Sequence, residues 1–159
     1  METRLTIGIA DMKIAQHDGT LITYALGSCI GICLYDPAIK LGGLLHIMLP
    51  LNMETGRKNP LKYADTGLAE MLRQMEARGA NRSRLIAKIA GGAKMFEVTG
   101  GALGNIGLRN IESVRMQMKK HGLRIANEDV GGTVARTMSM DVENGTIVIR
   151  SYGRPELTL

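Results

Sequence analysis

Residues 29–48 admit little other than a β-hairpin. Cys29-Ile30-Gly31-Ile32-Cys33-Leu34-Tyr35 alternates small or reactive residues with Ile and Leu, a period-two pattern with one buried face. Asp36-Pro37-Ala38-Ile39-Lys40 supplies turn chemistry, Asp opening the turn and Pro fixing the next φ, and an apolar run resumes from Leu41 to Met48. With Pro37-Ala38 as a two-residue loop, Asp36 faces Ile39 and Cys29 faces His46. A longer loop or a bulge slips that register by a residue or two. Opposed residues of an antiparallel pair share a face with Cβ atoms ~5 Å apart, close enough for a thiol and an imidazole to interact. The same pairing sets Ile30, Ile32 and Leu34 beside Leu45, Gly43 and Leu41, on the expected core face.

Spacing alone leaves two readings of this pair open. A free Cys is among the most buried residue types, and a His on an apolar strand is commonly a satisfied core residue. The same two residues on one face also have the makings of a nucleophile and its base. Cys33 adds no bridge: four strand residues span ~13 Å, beyond disulfide reach of Cys29. His17 and His121 have no ligand spacing to either Cys, so neither a metal nor another cofactor is expected.

A chain of 159 residues, 45% hydrophobic, fits one domain over residues 1–159 with a sizeable core. Two cysteines without a secretory leader point to a reducing, cytoplasmic setting. The longest apolar stretch, Leu41 to Leu51, contains His46 and Pro50 and is too short for a bilayer, so no membrane insertion is expected. The net charge of +5 favours acidic partners, but its Lys and Arg are dispersed. With no Trp, four Tyr and one Phe, stacking platforms are scarce and nucleic-acid binding is not expected.

Along the chain, Thr6 to Ala15 reads as an opening strand pair or one bent strand, and Leu21 to Leu26 as a strand after the Asp18-Gly19 turn. Asn52 to Lys62 is a polar loop beside the proposed site. Tyr63 to Arg78 carries Leu68, Met71, Leu72 and Met75 at helical spacing and stops at Gly79. Leu85 to Ala90 is a short strand. Gly91-Gly92-Ala93-Lys94 lacks Walker spacing and is read as a backbone turn with close packing. From Asn105 as cap, Ile106, Ile111, Val114 and Met118 form a second helical stripe, closed by Lys119, Lys120 and His121 before Gly122. Leu123 to Ala126, Val134 to Met140 and Thr146 to Ile149 are strands, the last two joined at Glu143-Asn144-Gly145. Strands in hairpins around two separated helices give an α+β class, mostly antiparallel, rather than a doubly wound parallel sheet. No sheet order follows, and Asp129-Val130-Gly131-Gly132 has no role assignable from its chemistry.

Several of these segments, in order from about Ile7 to Arg150, carry a likeness. Gly27-Ser28-Cys29 opens a strand, and His46 sits in Gly42-Gly43-Leu44-Leu45-His46-Ile47-Met48-Leu49-Pro50. Gly91-Gly92-Ala93-Lys94-Met95-Phe96, Ile106-Gly107-Leu108-Arg109-Asn110 and Asp129-Val130-Gly131-Gly132 follow. Together they resemble the chemoreceptor glutamine deamidase family, CheD. The resemblance implies hydrolysis of selected glutamine side chains of bacterial chemotaxis receptors to glutamate, with release of ammonia. It implies a Cys, a His and a Thr at the site, matching Cys29, His46 and Thr23. It also implies a layered α/β sandwich, strands inside and the two long helices outside, related to toxins that deamidate host glutamines. The implied partners are the cytoplasmic helices of chemoreceptors and the CheY phosphatase CheC. Cys33 stands where an aliphatic residue is expected and receives no role.

An amide is a poor electrophile, so such a site needs a strong nucleophile, a place for negative charge and an acid for the leaving group. Cys29 is assigned as nucleophile, with a His46 imidazolium lowering its pKa to ~4 to 7 and then protonating the departing ammonia. Water attacks the thioester with His46 as base, and the Thr23 hydroxyl orients the ring. Backbone N–H groups around Ser28 and Cys29 are the oxyanion candidates, with Gly27 allowing close approach. Two alternatives stay open: a non-catalytic module docking on receptors or CheC, and a cysteine hydrolase of another specificity, such as an amidase or peptidase.

Overall fold

The computed structural model describes residues 3–52, 59–95 and 105–159. In one sheet the strand order is β1 (Arg4–Thr6), β3 (Thr20–Leu26), β8 (Arg136–Asp141), β9 (Thr146–Arg150) and β10 (Leu157–Thr158). In the other it is β2 (Asp11–Gln16), β5 (Leu41–Ile47), β4 (Ile30–Asp36), β6 (Ile86–Gly91) and β7 (Ile125–Val130). Pairing is antiparallel except between β1 and β3 and between β6 and β7. The class is α+β, as the hairpins imply.

Period-two alternation sorts the central hairpin into two cores. Ile30, Ile32, Leu34, Leu45 and Ile47 face helix α1 (Ala64–Ala77) through Leu68, Met71, Leu72 and Met75, and helix α2 (Ile106–Lys120) through Ile111, Val114 and Met118. Cys29, Cys33, Tyr35 and Leu44 turn the other way, into a layer shared with Leu21, Met138, Met140 and Ile149 of the first sheet. The layers are therefore sheet, sheet, helices, with both helices on one side of the second sheet. Each fully buried Leu, Ile or Met contributes roughly 1.5–3 kcal/mol. Among the described residues no helix is long and apolar enough to cross a membrane.

The hairpin register differs from the expected one by two residues. Asp36 faces Leu41 and His46 faces Gly31, so the loop is Pro37 to Lys40. Its length has local causes. The Asp36 carboxylate accepts from Ala38 N–H at 3.1 Å and from Asn81 N–H and the Arg84 guanidinium, which holds its acid well below the ordinary range. Lys40 takes a left-handed φ of 49°, and its carbonyl accepts from His17 N–H at 2.8 Å. A shift of two keeps every side chain on its expected face.

The opening strands are also corrected: β1 and β2 do not pair. Ile7 N–H still bonds Ile22 of the first sheet, whereas Ala10 N–H already bonds His46 of the second, and Ala10 turns the chain between them with φ 57°. Asn105 stands at the cap position of α2, as expected, but in a left-handed conformation (φ 55°) and without a side-chain cap bond. The short strands β1 and β10 were not expected. Residues 53–58 of the polar loop and 96–104 of the Gly-rich crossing lie outside the described residues.

Candidate active site

Thr23, Cys29 and His46 converge on the layer between the two sheets. β3 stays in the first sheet to Leu26, but its register with β8 shifts between Thr23 and Leu26, where Ala25 adopts a φ of 57°. Gly27 and Ser28 then carry the chain across to β4 of the second sheet, leaving Cys29 at the crossing. Cys29 stands two residues before Gly31, the partner of His46. It is thus the diagonal neighbour of His46 rather than its opposite, at a spacing of ~7 Å in a regular ladder that an imidazole ring can bridge.

Across the seam, Thr23 Oγ1 lies 2.7 Å from the Ile7 carbonyl oxygen and 2.7 Å from His46 Nδ1. A carbonyl can only accept, so the single hydroxyl proton goes to Ile7 and the ring contact has Nδ1–H donating to Thr23. The lone pair is therefore on Nε2, a buried nitrogen with no hydrogen-bond partner among the described residues. Thr23 and His46 are fully buried and Cys29 is 9% exposed. Burial pushes the His46 pKa down to about 4 and the Cys29 thiol up from its ordinary value. At neutral pH the pair rests as thiol and neutral imidazole. The expected imidazolium and lowered thiol pKa are not what this environment produces, because desolvation disfavours both charges. Cys33 is buried more deeply still, and burial raises its thiol as well.

The Gly91-Gly92-Ala93 turn holds the Cys29 loop from below. Gly92 N–H donates to the Cys29 carbonyl at 2.9 Å and Ala93 N–H to that of Gly27 at 2.8 Å. Gly91 has a φ of 116°, and a Cβ there would overlap the Cys29 carbonyl oxygen. The turn is thus structural in the way expected of it. Ser28 and Gly27 are bonded through their carbonyls, while the N–H groups of Ser28 and Cys29 have no acceptor among the described residues. Asp129, left without a role by its chemistry, pairs with buried Arg136 and with Arg154.

Sequence reasoning missed Asn110. It is fully buried on α2, and its Nδ2 donates to the carbonyls of Ser28 at 2.8 Å and Met48 at 3.0 Å. The signal available was a set of polar residues, Asn110, Ser113 and Gln117, on the buried face of an amphipathic helix. Beside this contact lies a mostly apolar cavity of about 450 Å³ between Ser28, Ala93, Met95, Ile106, Leu108 and Gly132. Ser28 forms part of its wall; Cys29 does not.

The family model described as CheD chemotactic sensory transduction matches residues 48–151 of the chain. A probable chemoreceptor glutamine deamidase CheD of Syntrophomonas wolfei is 45% identical over 98% of both chains. Proteins of the same name from Symbiobacterium thermophilum and Moorella thermoacetica are 42% and 45% identical over 94% of this chain and 93% and 91% of their own. A match of this length and identity leaves one reading of descent: the chain belongs to the CheD family.

Proposed function

We propose that this chain hydrolyses glutamine side chains of chemoreceptors to glutamate, with Cys29 as nucleophile, His46 as proton carrier and Thr23 as the group that orients it. One observation carries the reading. The Thr23 hydroxyl is committed to Ile7 and thereby directs the free lone pair of His46 to Nε2, on the sheet face that also carries Cys29. The names of the relatives support the substrate class.

In this mechanism the Cys29 sulfur attacks the amide carbon while its proton passes to His46 Nε2. The carbonyl oxygen gains the charge, next to the N–H groups of Ser28 and Cys29. The His46 proton then moves to the amide nitrogen, the C–N bond breaks, and ammonia leaves a thioester. Water attacks the thioester as His46 takes its proton, and the C–S bond breaks to return the thiol and a glutamate. Starting from a neutral pair removes the need to hold two charges in a desolvated seam. The exposed apolar side chains Met48, Leu51, Met95 and Leu108 suit a receptor helix at the mouth, and CheC is proposed as a second occupant of the same region.

Peptide mass analysis of a cognate chemoreceptor incubated with the wild type and with Cys29→Ala tests the proposal. Glutamine converted to glutamate by the wild type alone is the expected result. No conversion by the folded wild type, or equal conversion by Cys29→Ala, would overturn it in favour of a docking module. Cleavage of peptide bonds, or ammonia released only from free amides, would point to a hydrolase of another specificity.

A further inference from the structure

The ladder between β4 and β5 ends at Ile30 and Ile47, one residue short of Cys29 and of Met48. Beyond that pair the two chains separate: Met48 N–H turns to the Lys62 carbonyl, and the Cys29 carbonyl turns to Gly92. Strand hydrogen bonds therefore stop short of the distance between the thiol and the imidazole. The side chain of Asn110 spans the opening. The two amide protons of Asn110 go to the Ser28 carbonyl, immediately before Cys29, and the Met48 carbonyl, two residues after His46. Two acceptors on one side also settle the orientation of the carboxamide, since only its nitrogen can face them.

The helix is held where this reach is possible. Gly107 lies against the Gly91-Gly92-Ala93 turn so closely that a Cβ would stand 2.5 Å from the Ala93 carbonyl oxygen and 2.6 Å from that of Gly92. One turn further along α2, Ser113 Oγ donates to the Pro50 carbonyl, extending the same contact outward from the site. Among the described residues Asn110 Oδ1 is buried without a partner, an arrangement that costs stability relative to an apolar side chain of similar size. Its amide is thus poorly explained as packing and well explained by the two carbonyls it joins.

We infer that Asn110 is a positioning residue of the deamidase, whose carboxamide clamps the Cys29 loop to the end of the His46 strand and sets the thiol within reach of Nε2. The inference rests on the proposed roles of Cys29 and His46. Its test is alkylation of Cys29 by iodoacetamide at pH 7, read by peptide mass so that Cys33 is distinguished. The wild type, His46→Ala, Asn110→Ala and Ser113→Ala are compared, with kcat and KM for deamidation and circular dichroism of each. Asn110→Ala is expected to alkylate at least about 5-fold more slowly than the wild type, approaching His46→Ala. Its kcat should fall about 10-fold or more with KM within about 3-fold, while Ser113→Ala keeps the wild-type rate.

Asn110→Leu, which preserves packing volume, serves if the alanine variant does not fold, and failure of both to fold would make the residue structural and overturn the assignment. An unchanged or faster alkylation rate, with activity lost only in proportion to unfolded protein, would overturn it too. Equal alkylation of wild type and His46→Ala would instead remove the Cys29–His46 pairing itself, and the assignment with it.

Discussion

The Thr23 hydroxyl accepts from His46 Nδ1–H at 2.7 Å across the layer between the two sheets, because its own proton is held by Ile7. This bond sets both the tilt and the tautomer of the ring. Thr23→Val keeps the shape and removes the acceptor, leaving Nδ1–H buried and unpaired. Loss of such an orienting partner typically costs about 10- to 100-fold in activity, so kcat should fall by that range with little change in KM. Thr23→Ser retains the hydroxyl and should stay within a few-fold of the wild type. Steady-state kinetics on a receptor fragment decides the matter: equal losses in the two variants would show that the methyl, not the hydroxyl, matters.

The resting charges predict an unusual pH profile. In the proposed mechanism His46 is neutral when it takes the thiol proton, and its pKa is held down at about 4. The acid limb of kcat/KM should therefore lie near pH 4 to 5, below the ordinary His value of ~6.5. At the alkaline end the limb belongs to Cys29, whose thiol is raised, so activity should persist beyond pH 8. Between about pH 5 and 8 the profile should be flat. A rise with its midpoint near 6.5 would show that the ring titrates as a solvated imidazole and would remove the neutral-pair mechanism.

These features differ in how far they could be read before folding. The hairpin and the side on which Cys29 and His46 point were legible, because a period of two survives a register slip of two. The loop length was not. It depends on Asn81 and Arg84 binding Asp36, and on His17 binding Lys40, all of them partners distant in sequence. Both helical stripes were legible from spacing, but the inward turn of Asn110 was not: its meaning depends on two carbonyls from other elements. The protonation states escaped for a related reason. Spacing brings a thiol and an imidazole together, whereas burial decides that neither is charged.

That same burial couples His46 to stability. The unfolded chain binds a proton on this ring below ~6.5, while the folded chain does so only below about 4. In the window between them the unfolded state holds more protons, so stability rises with pH and is lost as pH falls from ~6.5 toward 4. The loss between pH 7 and pH 4.5 amounts to roughly 2 kcal/mol from this residue. Urea unfolding of wild type and His46→Gln at both pH values isolates it, because carboxylates such as Asp36 titrate equally in the two proteins. The wild type should lose about 2 kcal/mol more than the variant. A difference near zero would place the ring in contact with water.

The closeness of the Gly91 turn to the Cys29 loop predicts a contrast between two glycines that share a left-handed backbone. Gly91 has φ 116° and Gly122 has φ 72°. A Cβ at Gly122 meets nothing within 4 Å, so Gly122→Ala should cost about 1–2 kcal/mol from backbone strain alone. At Gly91 the added carbon collides with a carbonyl oxygen that is itself bonded to Gly92, and backbone cannot rotate aside as a side chain can. Gly91→Ala should therefore cost about 3 kcal/mol or more and displace Cys29 in whatever fraction remains folded. Urea midpoints measure the first effect, and activity per folded molecule measures the second. Similar midpoints for the two variants would mean that the turn yields easily and does not hold the Cys29 loop in place.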